Sequence, residues 1–208
     1  QNHLTRISPR SPYAAAKAYA YWMTQIYREA YGMFAVNGIL FNAESPRRSP
    51  TFVTRKISQG VARIYLRKQE HLVLGNLNAR RDWSYAGDSV QAIYKMMQYE
   101  RPDDWVVATG HSHSVLDFLR HACAHAYGFD HPDDGLDVPM EDWMAQHVRI
   151  DERYRRPLEV DHLCGDASRT RELLGWKPEV KFGDLVKLMV DTDLDLEKPG
   201  ARAWSPPG

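Results

Sequence analysis

Cysteine is scarce. Cys123 and Cys164 are the only two in 208 residues, too few for a disulfide framework or a zinc site of usual spacing. A reducing cytoplasm is the expectation. Net charge is absent as well: 27 Lys and Arg balance 27 Asp and Glu. Nucleic acids and anionic membranes recruit proteins through a basic field, so neither is expected as a partner. No run of 18 apolar residues occurs, which leaves no candidate membrane-spanning helix. The chain opens on Gln1, with no basic stretch leading into an apolar one. That start does not read as a signal peptide, and the expectation is a fragment of something longer. His111 and His113 alternate as metal ligands can, but no third ligand is evident and no metal is expected. What is present is ordinary for a globular chain: 43% hydrophobic residues, enough for a core.

Helix and strand signals alternate along the chain. Ser11-Pro12 reads as an N-cap with proline at the first helical position, opening an Ala-rich helix over 13–31 that Gly32 stops. Met33 to Phe41 is a short apolar run, expected to be a strand buried on both faces. Further helices are expected over 52–68, 88–99, 114–127 before Gly128, 167–174 before Gly175, and 182–192. Strands are expected over 71–75, 105–109 and 148–150. Residues 42–50, 76–85, 130–144 and 153–157 read as loops, and the Pro- and Gly-rich tail 198–208 as disordered. Such alternation points to an α/β fold.

One pair of residues carries chemistry by its spacing. Tyr13 and Lys17 lie four apart on the first helix and so share a face. A phenol with a pKa of about 10 is a poor base at neutral pH. A nearby ammonium favours the phenolate and brings it towards a useful range. The spacing alone is weak evidence, and a solvated helix face is the bland alternative.

The context of that pair is more specific. SPYAAAK (Ser11 to Lys17), Arg81-Asp82-Trp83 with Asp88, Val90 and Ala92, Tyr154 to Pro157, and Leu174 to Pro178 follow in an order that resembles the extended short-chain dehydrogenase/reductase superfamily. Within it, PRSPYAAAK (Pro9 to Lys17), FAVNGILFN (Phe34 to Asn42), ESPRR (Glu44 to Arg48), FVTRKI (Phe52 to Ile57) and RPLEVD (Arg156 to Asp161) are similar to the GDP-mannose 4,6-dehydratase family. The resemblance runs from Ser8 to Asp195.

The resemblance implies the C-terminal part of a Rossmann-like doubly wound parallel sheet plus a smaller α/β substrate-binding lobe. Residues 1–50 would be the remainder of the Rossmann-like domain and 51–197 mainly the nucleotide-sugar lobe, with Rossmann elements returning near 85–110. It also implies NADP as cofactor, held by Tyr13, Lys17 and Arg48, with Tyr13 as base at the mannose 4-hydroxyl. Asn42, Lys56, Arg81, Arg156 and Glu159 would hold GDP-mannose, Lys and Arg meeting the diphosphate as charge-assisted donors. A homo-oligomer, dimer or tetramer, is implied too.

Three departures from the family pattern stand out. The Glu and Thr that serve elimination in the family would fall ahead of Gln1. No G-x-x-G-x-x-G turn for the cofactor pyrophosphate occurs. Ala43 stands where the family usually has a His that contacts NADP. Two alternatives stay open: another nucleotide-sugar dehydratase or epimerase of the superfamily, and a non-catalytic sugar-nucleotide-binding subunit.

Overall fold

A computed structural model describes residues 1–128, 139–154, 158 and 160–198. Its elements in chain order are α1 (Pro12–Tyr31), β1 (Asn37–Leu40), β2 (Asn42–Glu44), α2 (Val53–Tyr65), β3 (Leu72–Leu74), β4 (Arg80–Arg81), β5 (Trp83–Tyr85) and α3 (Ala86–Met97). They continue with β6 (Asp104–Val107), β7 (His113–Ser114), α4 (Val115–Tyr127), α5 (Pro139–His147), β8 (Val148–Ile150), a 3₁₀ turn at Glu152–Tyr154, α6 (Ser168–Leu174) and α7 (Phe182–Glu197). Helices and parallel strand pairs make this an α/β protein. The chain forms two compact units. One comprises Gln1–Ala43, Arg80–His113 and Arg156–Lys181; the other comprises Glu44–Ala79, Ser114–Arg155 and Phe182–Gly208.

In the first unit β1 runs parallel to β6, with Asn37 opposite Asp104 and Leu40 opposite Val107. Trp105, Val106, Val107 and Ala108 are buried with Ala92 and Met96 of α3, Ala167 and Trp176. Trp176 is anchored as well as packed: its indole N–H donates to the Asp88 carbonyl at 2.9 Å. The Asp88 carboxylate in turn accepts from the Glu179 and Val180 amides, both at 3.0 Å.

Helix α1 buries no residue fully and is held by a polar cluster instead. Tyr21, Gln25 and Arg28 of α1 and Asn37 of β1 all donate to the Asp104 carboxylate. Burial alone would raise that carboxyl's pKa, but these donors outweigh it and hold the group below its usual range. The same burial and anionic neighbour push Tyr21 up to about 12.

The second unit is built on three mutually packed helices, α2, α4 and α7. Ile57 and Val61 of α2, Phe118, Leu119 and Ala122 of α4, and Leu185, Val186, Met189 and Val190 of α7 are all buried and form its core. Between α2 and α7 sits a polar pin. Arg55 lies 2.7 Å from the buried carboxylate of Asp193, and Ser58 donates to that carboxylate at 2.6 Å. Burial raises the Asp193 pKa despite both partners. β3 runs parallel to β8 beside the bundle.

The expected helix stops are all used: Gly32, Gly128 and Gly175 take left-handed φ of 61, 68 and 57°. Ser114 caps α4 through a capping box with Asp117, two orphan donors satisfied at once.

Four expectations are corrected. The run from Met33 to Phe41 is strand only at Asn37–Leu40 and is not buried on both faces; Leu40 is 40% exposed. Among the described residues β6 is the single strand partner of β1, so no second strand pairs with its other edge there. The expected loops at 42–50 and 76–85 carry the short strands β2, β4 and β5. The expected loop at 130–144 gives way to α5, which begins at Pro139, where the missing N–H has no intrahelical bond to lose. Acidic Glu141 and Asp142 suit its first turn, and Met140 and Trp143 give it an apolar anchor. The tail 199–208 lies outside the described residues.

Candidate functional site

Tyr13 and Lys17 occupy the first turns of α1, which Ser11 caps by accepting the Ala14 amide at 3.0 Å. The Lys17 ammonium lies 6.0 Å from the centre of the Tyr13 ring, so the helix presents the pair together. Tyr13 is 72% exposed, available to a ligand rather than used in the core.

Asn42 and Arg81 are brought into one neighbourhood of the first unit. The Asn42 amide donates to the carbonyl of Asp82, the residue after Arg81, at 3.2 Å. The Arg81 guanidinium donates to the Val160 carbonyl at 2.6 Å. What fixes this neighbourhood is the side chain of Asp82, which is fully buried. Its Oδ1 accepts from the Thr109 amide at 2.9 Å and the Thr109 hydroxyl at 2.7 Å. Its Oδ2 accepts from the Gly110 amide at 3.0 Å and the Gly165 amide at 3.1 Å. One carboxylate thus ties together the ends of three chain segments. Gly165 is required there: a Cβ would lie 2.2 Å from the Cβ of Ala108.

Arg48 and Lys56 belong to the second unit. Arg48 Nε lies 3.2 Å from Glu44, and its guanidinium stacks 3.5 Å from the Phe52 ring centre. Glu44 is buried and also accepts from the Thr54 hydroxyl at 2.6 Å. Its burial raises the carboxyl pKa, opposed by Thr54 and by the charge of Arg48. Lys56, on the first turn of α2, places its ammonium 3.9 Å from the ring centre of Tyr154. Arg156 and Glu159 lie outside the described residues. Among the described residues no group of three His, Cys, Asp or Glu could hold a metal. No helix there is long and apolar enough to cross a membrane.

Residue type and spacing assign no role to Tyr154 or to the Asp82 carboxylate. Asp82 is flagged only by its place in the Arg81-Asp82-Trp83 stretch, where tying a loop to the core is the bland reading, and that is the role its four bonds show. Tyr154 is flagged only by its place in the Tyr154 to Pro157 stretch, immediately before a pair of arginines.

A family model described as GDP-mannose 4,6 dehydratase matches residues 1–189. The chain belongs to the GDP-mannose 4,6-dehydratase family. GDP-mannose 4,6 dehydratase 1 of Arabidopsis thaliana is 53% identical over 198 residues, covering 95% of this chain and 51% of that protein. The human GDP-mannose 4,6 dehydratase is 46% identical over 206 residues, covering 98% of this chain and 55% of that one. The chain therefore spans about half the length of the GDP-mannose 4,6-dehydratases it matches. Among solved structures, RMD from Pseudomonas aeruginosa complexed with NADPH aligns with a TM-score of 0.73. It is 18% identical and the alignment covers 90% of this chain and 56% of that one. At that identity the likeness establishes a shared fold, the Rossmann-like α/β architecture of this part of the molecule.

Proposed function

We propose that these residues are the sugar-nucleotide-binding half of a GDP-mannose 4,6-dehydratase, converting GDP-mannose to GDP-4-keto-6-deoxymannose. The observation that carries the reading is 53% identity to an Arabidopsis GDP-mannose 4,6 dehydratase across 95% of the chain. Asn42, Lys56, Arg81, Arg156 and Glu159 are the proposed contacts to GDP-mannose. Lysine and arginine suit a diphosphate because charge-assisted hydrogen bonds are the strong ones.

The proposed cofactor is NADP, with Tyr13, Lys17 and Arg48 as its contacts. Tyr13 and Lys17 suit the nicotinamide-ribose end, because α1 presents both side chains in the open on one face. A nicotinamide, when bound, would supply a hydride acceptor for C4 of the sugar and return the hydride to C6 after the C5 proton and the C6 hydroxyl have left as water. Tyr13 Oη takes the proton of the mannose 4-hydroxyl, and Lys17 favours the phenolate by its charge. The pyrophosphate has no Gly-rich turn in these 208 residues, so turnover by this chain alone is expected to be absent. A homo-oligomer in the cytoplasm belongs to the same reading.

The experiment mixes this chain with a separately produced Gly-rich half from a family member, GDP-mannose and NADP, and follows the 4-keto-6-deoxy product. Product that appears only in the mixture and vanishes with Tyr13→Phe supports the reading. Turnover that survives Tyr13→Phe refutes the role of that residue, and failure of the chain to bind GDP-mannose refutes the reading.

A further inference from the structure

We infer that Tyr154 is a positioning residue for the nucleotide diphosphate, holding the Lys56 ammonium on the face of its ring so that the charge is presented to the phosphates. The inference rests on the reading of Lys56 as a diphosphate contact. A lysine head group rides on a flexible four-carbon stem and loses rotamer freedom when fixed. A site that needs the charge at one point must therefore supply something to hold it.

The backbone end of Lys56 is already fixed. Its amide donates to the Phe52 carbonyl at 2.8 Å, and its neighbours Arg55 and Ile57 are both buried. The far end meets Tyr154 at 3.9 Å from the ring centre, well inside the roughly 6 Å within which a cation is drawn to an aromatic face. Among the described residues no carboxylate comes within ion-pair distance of Lys56. Asp151, whose carboxyl is lowered first by the Arg153 hydrogen bonds and only last by the charge of Lys56, is taken up by the Arg153 fork, with Nη2 to Oδ2 at 2.6 Å. A ring holds an ammonium without neutralising it, so the charge remains available to an incoming anion.

Tyr154 is itself placed by backbone rather than by packing. The Asp151 amide donates to the Leu74 carbonyl at 2.9 Å, joining the end of β8 to the end of β3. The Tyr154 amide then donates to the Asp151 carbonyl at 3.1 Å and closes the turn. Gly75 permits this approach: a Cβ there would sit 3.0 Å from the Tyr154 Cβ and 3.1 Å from its carbonyl oxygen. The residue remains 56% exposed, which a purely structural tyrosine does not need.

The test is GDP binding by titration calorimetry to the 208-residue protein and to Tyr154→Phe, Tyr154→Leu, Lys56→Ala and the Tyr154→Leu/Lys56→Ala double variant. Tyr154→Phe keeps the ring and should bind as the parent does. Tyr154→Leu should weaken GDP about two- to five-fold, the worth of a partly exposed cation–π contact. In the Lys56→Ala background the same change should cost nothing further. Undiminished binding by Tyr154→Leu, with Lys56→Ala impaired, overturns the inference and leaves the reading of Lys56 intact. A loss that persists without Lys56 also overturns it, since Tyr154 then acts on the fold. If Lys56→Ala binds GDP normally, or the parent does not bind it, the underlying reading fails and the inference with it. Should Tyr154→Leu unfold, the Tyr154 ring resonances decide: Lys56→Ala must shift them, and unchanged resonances overturn the contact.

Discussion

Replacing Asp82 by Asn changes one atom's chemistry in a buried site and should cost far more than its size suggests. The native carboxylate accepts four hydrogen bonds, two on each oxygen, and donates none. An amide must turn its NH₂ towards one of those pairs. Facing Gly110 and Gly165 it would oppose two backbone N–H groups. Facing Thr109 it opposes one, because the Thr109 hydroxyl can rotate to accept, as it already does from the His111 amide at 3.1 Å. The second orientation is the cheaper. It leaves the Thr109 amide buried without an acceptor, a cost of about 1–3 kcal/mol. The bonds from Gly110 and Gly165 then lose their charge assistance, about 1 kcal/mol each. The total is roughly 3–5 kcal/mol, read by urea unfolding through the buried Trp83 and Trp105 of the same unit. GDP-mannose binding should weaken with it, because Asn42 and Arg81 flank the tie. A variant within about 1 kcal/mol of the parent would refute the reasoning.

Other outcomes follow from the same geometry. Asp193→Asn strips the buried Arg55 of its countercharge and should cost about 3–5 kcal/mol, most of it recovered when Arg55→Met and Asp193→Leu are combined; denaturant midpoints of both variants check this. Asp103 and Asp104 are held below the usual carboxylate value of 3.8 in the fold. Their contribution is therefore complete above that value and lost as pH falls through the lower native values. Stability should drop on acidification below about pH 4, less steeply in Asp104→Asn, as an acid titration of ellipticity would show. Gly165→Ala drives a methyl against Ala108 and Phe41 and should cost about 1–3 kcal/mol or more, measured as a fall in Tm. Ser114→Ala removes the acceptor for the Asp117 amide at 2.9 Å and should cost about 1 kcal/mol in the same assay.

Helices are the legible part of this fold because their signals are local. Ser11-Pro12 and Gly32, or Ser114 and Gly128, state a start and a stop within the residues concerned. The short strands β2, β4 and β5 escape sequence reading because two or three residues carry no period, and only pairing with a distant segment makes them strands. Helix α5 escapes it because Pro139 reads as a breaker, although the same residue opens a helix when nothing precedes it in the turn. The run around β1 misleads for a different reason. Its apolarity is real, but burial on both faces needs neighbours on both sides, and among the described residues only β6 pairs with it.

In the candidate site, Tyr13 and Lys17 are legible as a helical pair. The structure adds how other candidate residues are held. Asp82 acts through bonds to Thr109, Gly110 and Gly165, separations that no local pattern encodes. Tyr154 meets Lys56 only because β3 and β8 run side by side and Gly75 lets the turn close.

The most direct test of the account is the titration of GDP-mannose into the unmodified chain, with GDP and UDP as competitors. Saturable binding that GDP displaces and UDP does not is the predicted result. No binding, or displacement by UDP as readily as by GDP, would contradict it.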